Sequence, residues 1–249
     1  MGDVEHSFEP TLRRVRTRFG GVDVGDTRRA LLMMGGYKAP LYELSNYYFP
    51  REDVRSDLLM ASGHRSHCAT RGEATHWTVR VGEREAGDDA WSYESPPAGW
   101  EGIRGYVAFT WNSMDAWFEE DEEIFVHPRD PSTRVQILPS SRHVTIEVDG
   151  VTVADSSHPT LLHETHLPRR TYIPKLDVRM DLLTPTSSTS RCPYKGTARY
   201  WSLPGNDDIA WSYPTPLRES ALIAGLVAFY DERVDVTVDG VRQARPSRR

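Results

Sequence analysis

TYIPKLDVRMDLL, residues 171–183, decides the fold because the chain contains it twice. The other copy is YYFPREDVRSDLL, residues 47–59. Two further pairs occur in the same order: RRVRTRFGGVDVGDT (13–27) with RHVTIEVDGVTVADS (142–156), and DDAWSYESPPAGWEGIRGYVAF (88–109) with DDIAWSYPTPLRESALIAGLVAF (207–229). Ordered self-similarity of this kind indicates a duplicated structural unit. The sequence therefore predicts two tandem domains, at residues 10–139 and 140–249.

The periodicity inside each copy is that of β-strands. HVTIEVDGVTVADS alternates on both sides of Asp149-Gly150, which is typical of a two-residue hairpin turn. One segment per copy departs from this pattern. In the second copy Thr215 is a candidate helix cap, Pro216 fits the first helical position and Gly225 fits the end. We therefore expect mainly β structure: two small antiparallel barrels or sandwiches, each with one short helix, related by a pseudo-two-fold axis.

Composition excludes several classes of protein. The net charge of −6 over 249 residues gives no support for binding to nucleic acid or to an anionic membrane. Two cysteines rule out a disulfide-rich scaffold and suit a reducing compartment. The polar start, MGDVEHSFEP, does not resemble a signal peptide. We expect a cytoplasmic protein that binds a small molecule and needs no cofactor; the sequence leaves its oligomeric state open.

The richest chemical motif is SRCPYKGTARYW, residues 190–201. Pro193 and Gly196 predict a compact turn, which brings its first and fourth residues, Cys192 and Lys195, within about 7 Å. The ammonium would then favour the thiolate, hold an anion or form a Schiff base. A buried cysteine and a solvated turn lysine are the structural alternative. The predicted catalytic residues are Lys195, Cys192 and Tyr200, with Tyr194 and Trp201 as part of the substrate site.

The first copy of this motif is SHCATRGEATHW, residues 66–77. Ala69, Thr70 and Arg71 replace Pro193, Tyr194 and Lys195, and His76 replaces Tyr200. Arginine retains anion binding but neither acts as a base nor forms an imine, so Arg71 is predicted to bind substrate. Features shared by both copies, including the tryptophans and the Asp-x-Arg-x-Asp runs, are interpreted as architecture. Those runs are expected on strands, with their charges paired.

Two stretches of the first copy offer further candidates. HRSHC, residues 64–68, carries His64, His67 and Cys68, and His76 follows; these atom types suit zinc or iron. Strand alternation turns His67 to the opposite face, and the sequence predicts no metal site. The stretch FVHPRDP, residues 125–131, reads as a linker between the copies. Its His127 and Arg129 are candidate substrate-binding residues, on the hypothesis that this linker closes over a pocket as a lid.

Taken together, DVRMDLL, CPYKGTARYW, AWSYP and AGLVAFY, with EEDEEIFVHPRDP between the copies, resemble the DUF427 family over nearly the whole chain. The resemblance implies two tandem domains of one fold, and the family has been labelled nucleotidyltransferase-like. The sequence lacks the Gly-Ser and paired-Asp pattern of a two-metal nucleotidyl-transfer site. The favoured hypothesis is an enzyme acting on a small, anionic and partly planar metabolite, with Lys195 and Cys192 at the reacting centre. A non-catalytic binding protein and a nucleotidyltransferase-like activity are the alternatives.

Overall fold

The computed structural model describes residues 7–34 and 45–246, and the chain divides into two compact units. The first unit comprises residues 1–129 and the second unit residues 130–249. The sequence repeats place the boundary ten residues later, between 139 and 140. Residues 135–139 form a strand that pairs with residues 160–164 of the second unit. Within the described residues no helix has the length and apolar character needed to span a membrane.

The first unit is built from short strands joined by turns and 3₁₀ helices. Its strands are β1 (Ser7–Pro10), β2 (Val15–Phe19), β3 (Val22–Thr27), β4 (Leu31–Met34), β5 (Asn46–Pro50), β6 (Leu59–Cys68), β7 (Gly72–Val81), β8 (Arg84–Ser92), β9 (Tyr106–Phe109), β10 (Ala116–Glu119) and β11 (Glu122–Ile124). Its 3₁₀ helices cover Arg51–Asp53, Ser56–Leu58, Glu101–Ile103 and Trp111–Ser113.

The second unit repeats this order of strands. Its strands are β12 (Val135–Pro139), β13 (Val144–Val148), β14 (Val151–Ser156), β15 (Thr160–Glu164), β16 (Arg170–Ile173), β17 (Thr184–Cys192), β18 (Gly196–Leu203), β19 (Asn206–Ser212), β20 (Val227–Phe229), β21 (Asp235–Val238) and β22 (Val241–Arg242). Its 3₁₀ helices cover Lys175–Asp177, Met180–Leu182 and Arg218–Ile223.

Each unit consists of a seven-stranded and a four-stranded antiparallel sheet. The seven-stranded sheets have the orders β1-β4-β5-β9-β8-β7-β6 and β12-β15-β16-β20-β19-β18-β17. The four-stranded sheets have the orders β11-β10-β2-β3 and β14-β13-β21-β22. Equivalent strands occupy equivalent places, so the two copies share one topology. Each unit is sandwich-like rather than a closed barrel, and the prediction of two mainly β domains of one fold is confirmed.

The main core of each unit lies between its two sheets. In the first unit Val15 and Trp117 of the small sheet pack with Phe49 and Phe109 of the large one. Strand alternation gives the large sheet a second apolar face, which we call the outer face. It carries Tyr48 and its cluster in the first unit, and the following cluster in the second: Leu162, Tyr172, Ala198, Trp211, Tyr213, Ile223 and Ala228. The candidate site lies on this outer face.

The predicted hairpin turn and the predicted helix-terminal glycine are confirmed, whereas the predicted helix differs in type and in its first residue. Asp149 and Gly150 both have positive φ, at 50° and 79°, as a tight hairpin turn requires. The predicted short helix is a 3₁₀ helix that begins at Arg218, after Leu217, so Thr215 is not its cap. Its sequence has no long apolar stripe to hold a full α-helix against the sheet. Gly225 follows its last turn with φ 69°, as expected.

The two Asp-x-Arg-x-Asp runs pair their charges but are not strands. Arg179 donates two hydrogen bonds to Asp181, with N···O distances of 2.8 and 2.7 Å, and Arg55 binds Asp57 in the same way. Both runs lie in 3₁₀ turns flanking a single β-bridge residue, which is Val178 in the second unit. The expected pairing is confirmed for the Arg and the second Asp of each run, whereas the first Asp binds outside the run: Asp177 accepts a hydrogen bond from Ser156, and Asp53 accepts one from Thr27. The expected strand is wrong.

Candidate functional site

The CPYKG turn is fixed from two sides. Pro193–Lys195 form the turn between β17 and β18, and Cys192 pairs with Gly196, whose φ is 97°. The Lys195 carbonyl accepts a hydrogen bond from the Leu217 N–H at 3.1 Å. The Tyr194 carbonyl accepts one from Ser220 Oγ at 2.9 Å. The predicted compact turn is confirmed, and its backbone is held by the segment that follows β19.

Lys195 forms a buried ion pair with Glu164. The ammonium binds the Glu164 carboxylate, and the two side chains are only 10% and 8% exposed. Glu164 is the last residue of β15, so the pair joins two distant parts of the sheet. A buried lysine stays charged at low cost only where a partner compensates the lost hydration, and Glu164 supplies that compensation.

This ion pair is part of the wall of a cavity with a volume of about 180 Å³. We call it the tyrosine cavity, because four tyrosines line it. Its walls are Leu162, Glu164, Leu167, Pro168, Arg170, Tyr172, Lys195, Tyr200, Trp211, Tyr213 and Tyr230. An apolar, aromatic enclosure with a few charged groups is the usual composition of a small-molecule site.

Trp211 organises the aromatic wall. Its ring meets Tyr172 edge-on, with centroids 6.3 Å apart, and lies 4.5 Å from the Tyr230 ring. The Arg170 guanidinium lies 5.7 Å from the Trp211 ring centroid and donates two hydrogen bonds, of 2.8 and 2.6 Å, to Glu232. Tyr200 Oη lies 2.6 Å from Ser190 Oγ. The wall is therefore a connected set of ring contacts and hydrogen bonds.

Three phenols of this cavity, those of Tyr172, Tyr213 and Tyr230, stay protonated at neutral pH. Burial raises the pKa of Tyr172 and of Tyr213 well above the ordinary tyrosine range. Burial, together with a hydrogen bond to Tyr200, raises the pKa of Tyr230 to about 12. These three groups can donate or accept hydrogen bonds but do not serve as bases near pH 7.

The predicted site residues of the second unit lie in four different surroundings. Lys195 and Tyr200 line the tyrosine cavity. Cys192 packs against the same aromatic cluster without lining the cavity. Tyr194 is buried, and its hydroxyl accepts the Asp130 N–H at 2.9 Å. Trp201 packs on the core between the sheets, on the face opposite Tyr200, with the Lys175 ammonium 5.5 Å from its ring.

The two linker candidates, His127 and Arg129, make their described contacts within the first unit. His127 Nδ1 donates a 2.7 Å hydrogen bond to the Pro128 carbonyl. Arg129 binds Glu119 at 3.2 Å and Glu122 at 2.9 Å. Glu119 is almost fully buried, so this arginine compensates an internal carboxylate. These contacts give Arg129 a structural role, and substrate binding by either residue stays a prediction.

In the part of the chain that the structure describes, Arg71, the counterpart of Lys195, contacts two aromatic rings. Its guanidinium lies 5.6 Å from the Tyr93 ring centroid and 5.9 Å from that of Trp100. Cys68 Sγ lies 3.3 Å from Thr70 Oγ1. Burial raises the pKa of the Cys68 thiol, but hydrogen bonds from Thr70 and from two backbone N–H groups, with the Arg71 charge, lower it to about 7. The first unit thus holds a thiol that is partly ionised at neutral pH.

The candidate metal ligands of the first unit do not converge. His67 Nδ1 lies 3.1 Å from Glu73, whereas the His64 and His76 rings are in contact, with centroids 4.6 Å apart. Among residues 7–34 and 45–246, no group of three or more His, Cys, Asp or Glu side chains is placed to hold a metal ion.

Sequence reasoning missed Glu164, Arg170 and Tyr230, which also line the tyrosine cavity. Comparison of the two copies carries the signal that would have indicated them. Tyr230 follows the segment LVAF in the second copy, whereas Thr110 follows the equivalent segment YVAF in the first. Arg170 occupies the strand position in the second copy that Asn46 occupies in the first. These residues belong to one copy alone, which was the criterion used for Lys195.

Comparison with known proteins agrees with the duplication. The sequence profile of a domain of unknown function, DUF427, matches residues 7–120 and again residues 136–240. No curated protein matches the chain. Two matches in tandem span most of the 249 residues, in the same order as the two sandwich units. The chain therefore belongs to the DUF427 family, as a protein with two tandem copies of that domain.

Proposed function

We propose that the second unit is an enzyme that acts on a small, partly planar metabolite with an anionic group, and that the tyrosine cavity is its site. The observation that carries this proposal is the buried Lys195–Glu164 ion pair in an aromatic wall. A hydrated lysine on a surface turn is chemically ordinary. A lysine shielded from water beside a carboxylate can exchange a proton with it and with a bound molecule.

The size and walls of the cavity limit the ligand. Its volume of about 180 Å³ lies below the range of about 300–1,000 Å³ that drug-sized ligands occupy, which favours a molecule with one ring or a short conjugated chain. Trp211 and Tyr230 supply aromatic surface to the cavity wall, which suits a flat group. Lys195 and Arg170 are the cations that an anionic substituent would meet. Both already bind carboxylates of the protein, so the substituent must share or displace one of them.

Two chemical roles follow for Lys195. As an ammonium it can donate a proton to an oxygen of the substrate, and Glu164 can take a proton from carbon or oxygen. Alternatively, Glu164 takes the ammonium proton, and the amine then adds to a carbonyl group and forms an imine with loss of one water. Both roles need lysine, because arginine does not give up its proton. Tyr200 Oη is the neighbouring hydroxyl that would orient the substrate. A nucleophilic role for Cys192 stays a prediction.

A non-catalytic binding protein is the second candidate. One observation favours it: Lys195 is paired with Glu164, and Arg170 is paired with Glu232. Ion pairs of this kind can be purely structural. In that case the ion pair shapes the pocket and the aromatic rings supply the affinity. The two candidates share one site and differ in whether a bond in the ligand changes.

The experiment begins with a thermal-shift screen of the full chain against 2-oxo acids, aromatic carboxylates and nucleotides. A ligand that binds the native state raises the apparent melting temperature. Mass spectrometry then measures conversion of each hit. Turnover of a nucleotide together with a second substrate would instead support the nucleotidyltransferase-like activity.

Lys195→Arg and Arg71→Lys form the matched pair of variants. For an enzyme, we expect Lys195→Arg to lower kcat by about 10²-fold or more with KM little changed, because proton transfer is lost while charge is retained. Arg71→Lys, in the other unit, should change kcat much less. Binding without conversion of any hit would favour the binding protein. Full activity in Lys195→Arg would refute the catalytic role of Lys195.

A further inference from the structure

The first unit carries a serine–histidine pair on its outer face, apart from the tyrosine cavity of the second unit. Ser66 lies on β6 and His76 on the neighbouring strand β7. Ser66 Oγ lies 2.7 Å from His76 Nε2. Ser66 is exposed, so its hydroxyl can be reached from solvent. A hydroxyl at hydrogen-bond distance from an imidazole nitrogen is the geometry of an activated nucleophile.

The other imidazole nitrogen defines which atom carries the proton. His76 Nδ1 lies 2.8 Å from the backbone carbonyl oxygen of Asp88. A carbonyl only accepts, so Nδ1 must carry a hydrogen and donate it. In the neutral ring the lone pair is then on Nε2, facing Ser66. The hydroxyl donates to that lone pair, which makes His76 a base toward Ser66 rather than a donor.

The fold holds this imidazole from three sides. Asp88 has a positive φ of 60°, and a bulge in the β7–β8 pairing accompanies it. The ring of His76 stacks on Trp91, with centroids 6.3 Å apart and planes at 30°, and meets the His64 ring at 4.6 Å. The ring orientation is therefore set by backbone and packing, as a general base requires.

We propose that Ser66 is a nucleophile activated by His76, and that the first unit accepts acyl groups from small activated esters. In the first step Ser66 Oγ bonds to the ester carbonyl carbon, its proton passes to Nε2, and the leaving oxygen departs with that proton. Water then attacks the acyl-serine, its proton passes through Nε2 to Ser66 Oγ, and the acid is released. The sum is ester plus water giving acid plus alcohol.

The third group of the arrangement selects the substrate class. In a Ser-His-Asp triad a carboxylate both orients the imidazole and stabilises the imidazolium that forms. Here the Asp88 carbonyl orients the ring but carries no charge, so it stabilises the imidazolium less. A weakly assisted nucleophile needs a good leaving group. Aryl esters and thioesters therefore fit the site, and amides do not.

The second unit supplies an internal control. Its equivalent hydroxyl is Ser190, and Tyr200 occupies the position of His76. Ser190 Oγ lies 2.6 Å from Tyr200 Oη. A phenol is not a general base toward a serine hydroxyl near neutral pH. The same serine position therefore occurs twice in one chain, once with a base and once without.

The test is acylation of the full chain by p-nitrophenyl acetate and by an alkyl fluorophosphonate. The thiols Cys68 and Cys192 are both changed to serine as a common background, since thiols also react with the ester. Peptide mapping by mass spectrometry locates the label. We expect it on Ser66 and not on Ser190 in the same digest, a comparison that requires no variant at either serine.

His76→Gln and Ser66→Ala complete the test. The glutamine variant removes the base, and we expect the labelling rate of Ser66 to fall by about 10²-fold or more. Ser66→Ala should abolish the label in a chain whose melting temperature is unchanged, since Ser66 is exposed. Equal labelling of Ser66 and Ser190, labelling that survives His76→Gln at full rate, or no labelling of Ser66 would each overturn the proposal. The two proposals are tested independently. Lys195→Arg should lower substrate turnover at the tyrosine cavity and should leave the labelling of Ser66 unchanged.

Discussion

Removal of the Glu164 carboxylate is the sharpest perturbation of the second unit. In Glu164→Gln the side chain keeps its size and loses its charge, which leaves the Lys195 ammonium buried without compensation. The two side chains are 8% and 10% exposed, so water replaces little of the lost attraction. Breaking a buried pair in this way costs about 3–5 kcal/mol of unfolding free energy. That loss corresponds to an increase of about 10²- to 10⁴-fold in the population of the open state.

Native-state hydrogen exchange on the full chain measures this loss. We expect faster exchange in peptides of β18 and β19, whereas peptides of β7 and β8 in the first unit stay unchanged. Exchange reports each unit separately, so the result does not depend on cooperative unfolding of the whole chain. Arg179→Ala is the control: it breaks an ion pair whose members are 58% and 61% exposed, and solvent compensates the loss.

A double variant distinguishes a buried charge pair from simple packing. Glu164→Leu with Lys195→Met replaces both charges by apolar groups of similar size, and such replacements are often neutral or stabilising. We expect this chain to recover most of the stability that Glu164→Gln loses. If Glu164→Gln exchanges like the natural chain, or if the double variant is as unstable as the single one, the ion pair is not the buried element described above.

Three further predictions test other groups. In the Cys192→Ser variant, the rate at which iodoacetamide alkylates Cys68 should rise with pH, with a midpoint near pH 7. The reason is that the thiolate is the reactive form and the pKa of this thiol is about 7. A midpoint at pH 8.5 or above would contradict this. Burial raises the pKa of Asp231 to about 6 from 3.8, so the folded state binds the proton more tightly and unfolding free energy falls as the pH rises between these values. Asp231→Asn should remove that pH dependence in urea unfolding. Gly196→Ala should lower the unfolding free energy by about 1–3 kcal/mol, because φ is 97° and a Cβ would approach the Thr215 carbonyl at 3.4 Å; unchanged exchange in β18 would argue against it.

The fold could be predicted because the same sequence segments occur twice in the same order. Strand alternation and the Asp149-Gly150 turn indicate antiparallel β structure, and the repeats indicate that it occurs twice. The helix predicted after Thr215 is a 3₁₀ helix and not an α-helix. Cap residues alone do not specify an α-helix, because its stability also depends on an apolar face that packs against the rest of the domain.

The site was predicted in part. Lys195 stands out in a local motif, but its partner Glu164 lies 31 residues away and is brought to it by the sheet. Such non-local pairings leave little signal in a single sequence. Trp201 shows the opposite case. It follows Tyr200 in the same strand, so alternation alone places the two side chains on opposite faces, and the structure has Trp201 in the core.

The outer face of the large sheet has a consequence for how the two copies diverged after duplication. The main core of each unit lies between its two sheets, and it is built from residues other than those of the outer face. Lys195 and Tyr200 in one copy correspond to Arg71 and His76 in the other, on the same scaffold. The duplicated fold therefore presents two outer faces on one scaffold, and the residues of one face can differ from those of the other without a change in the core between the sheets.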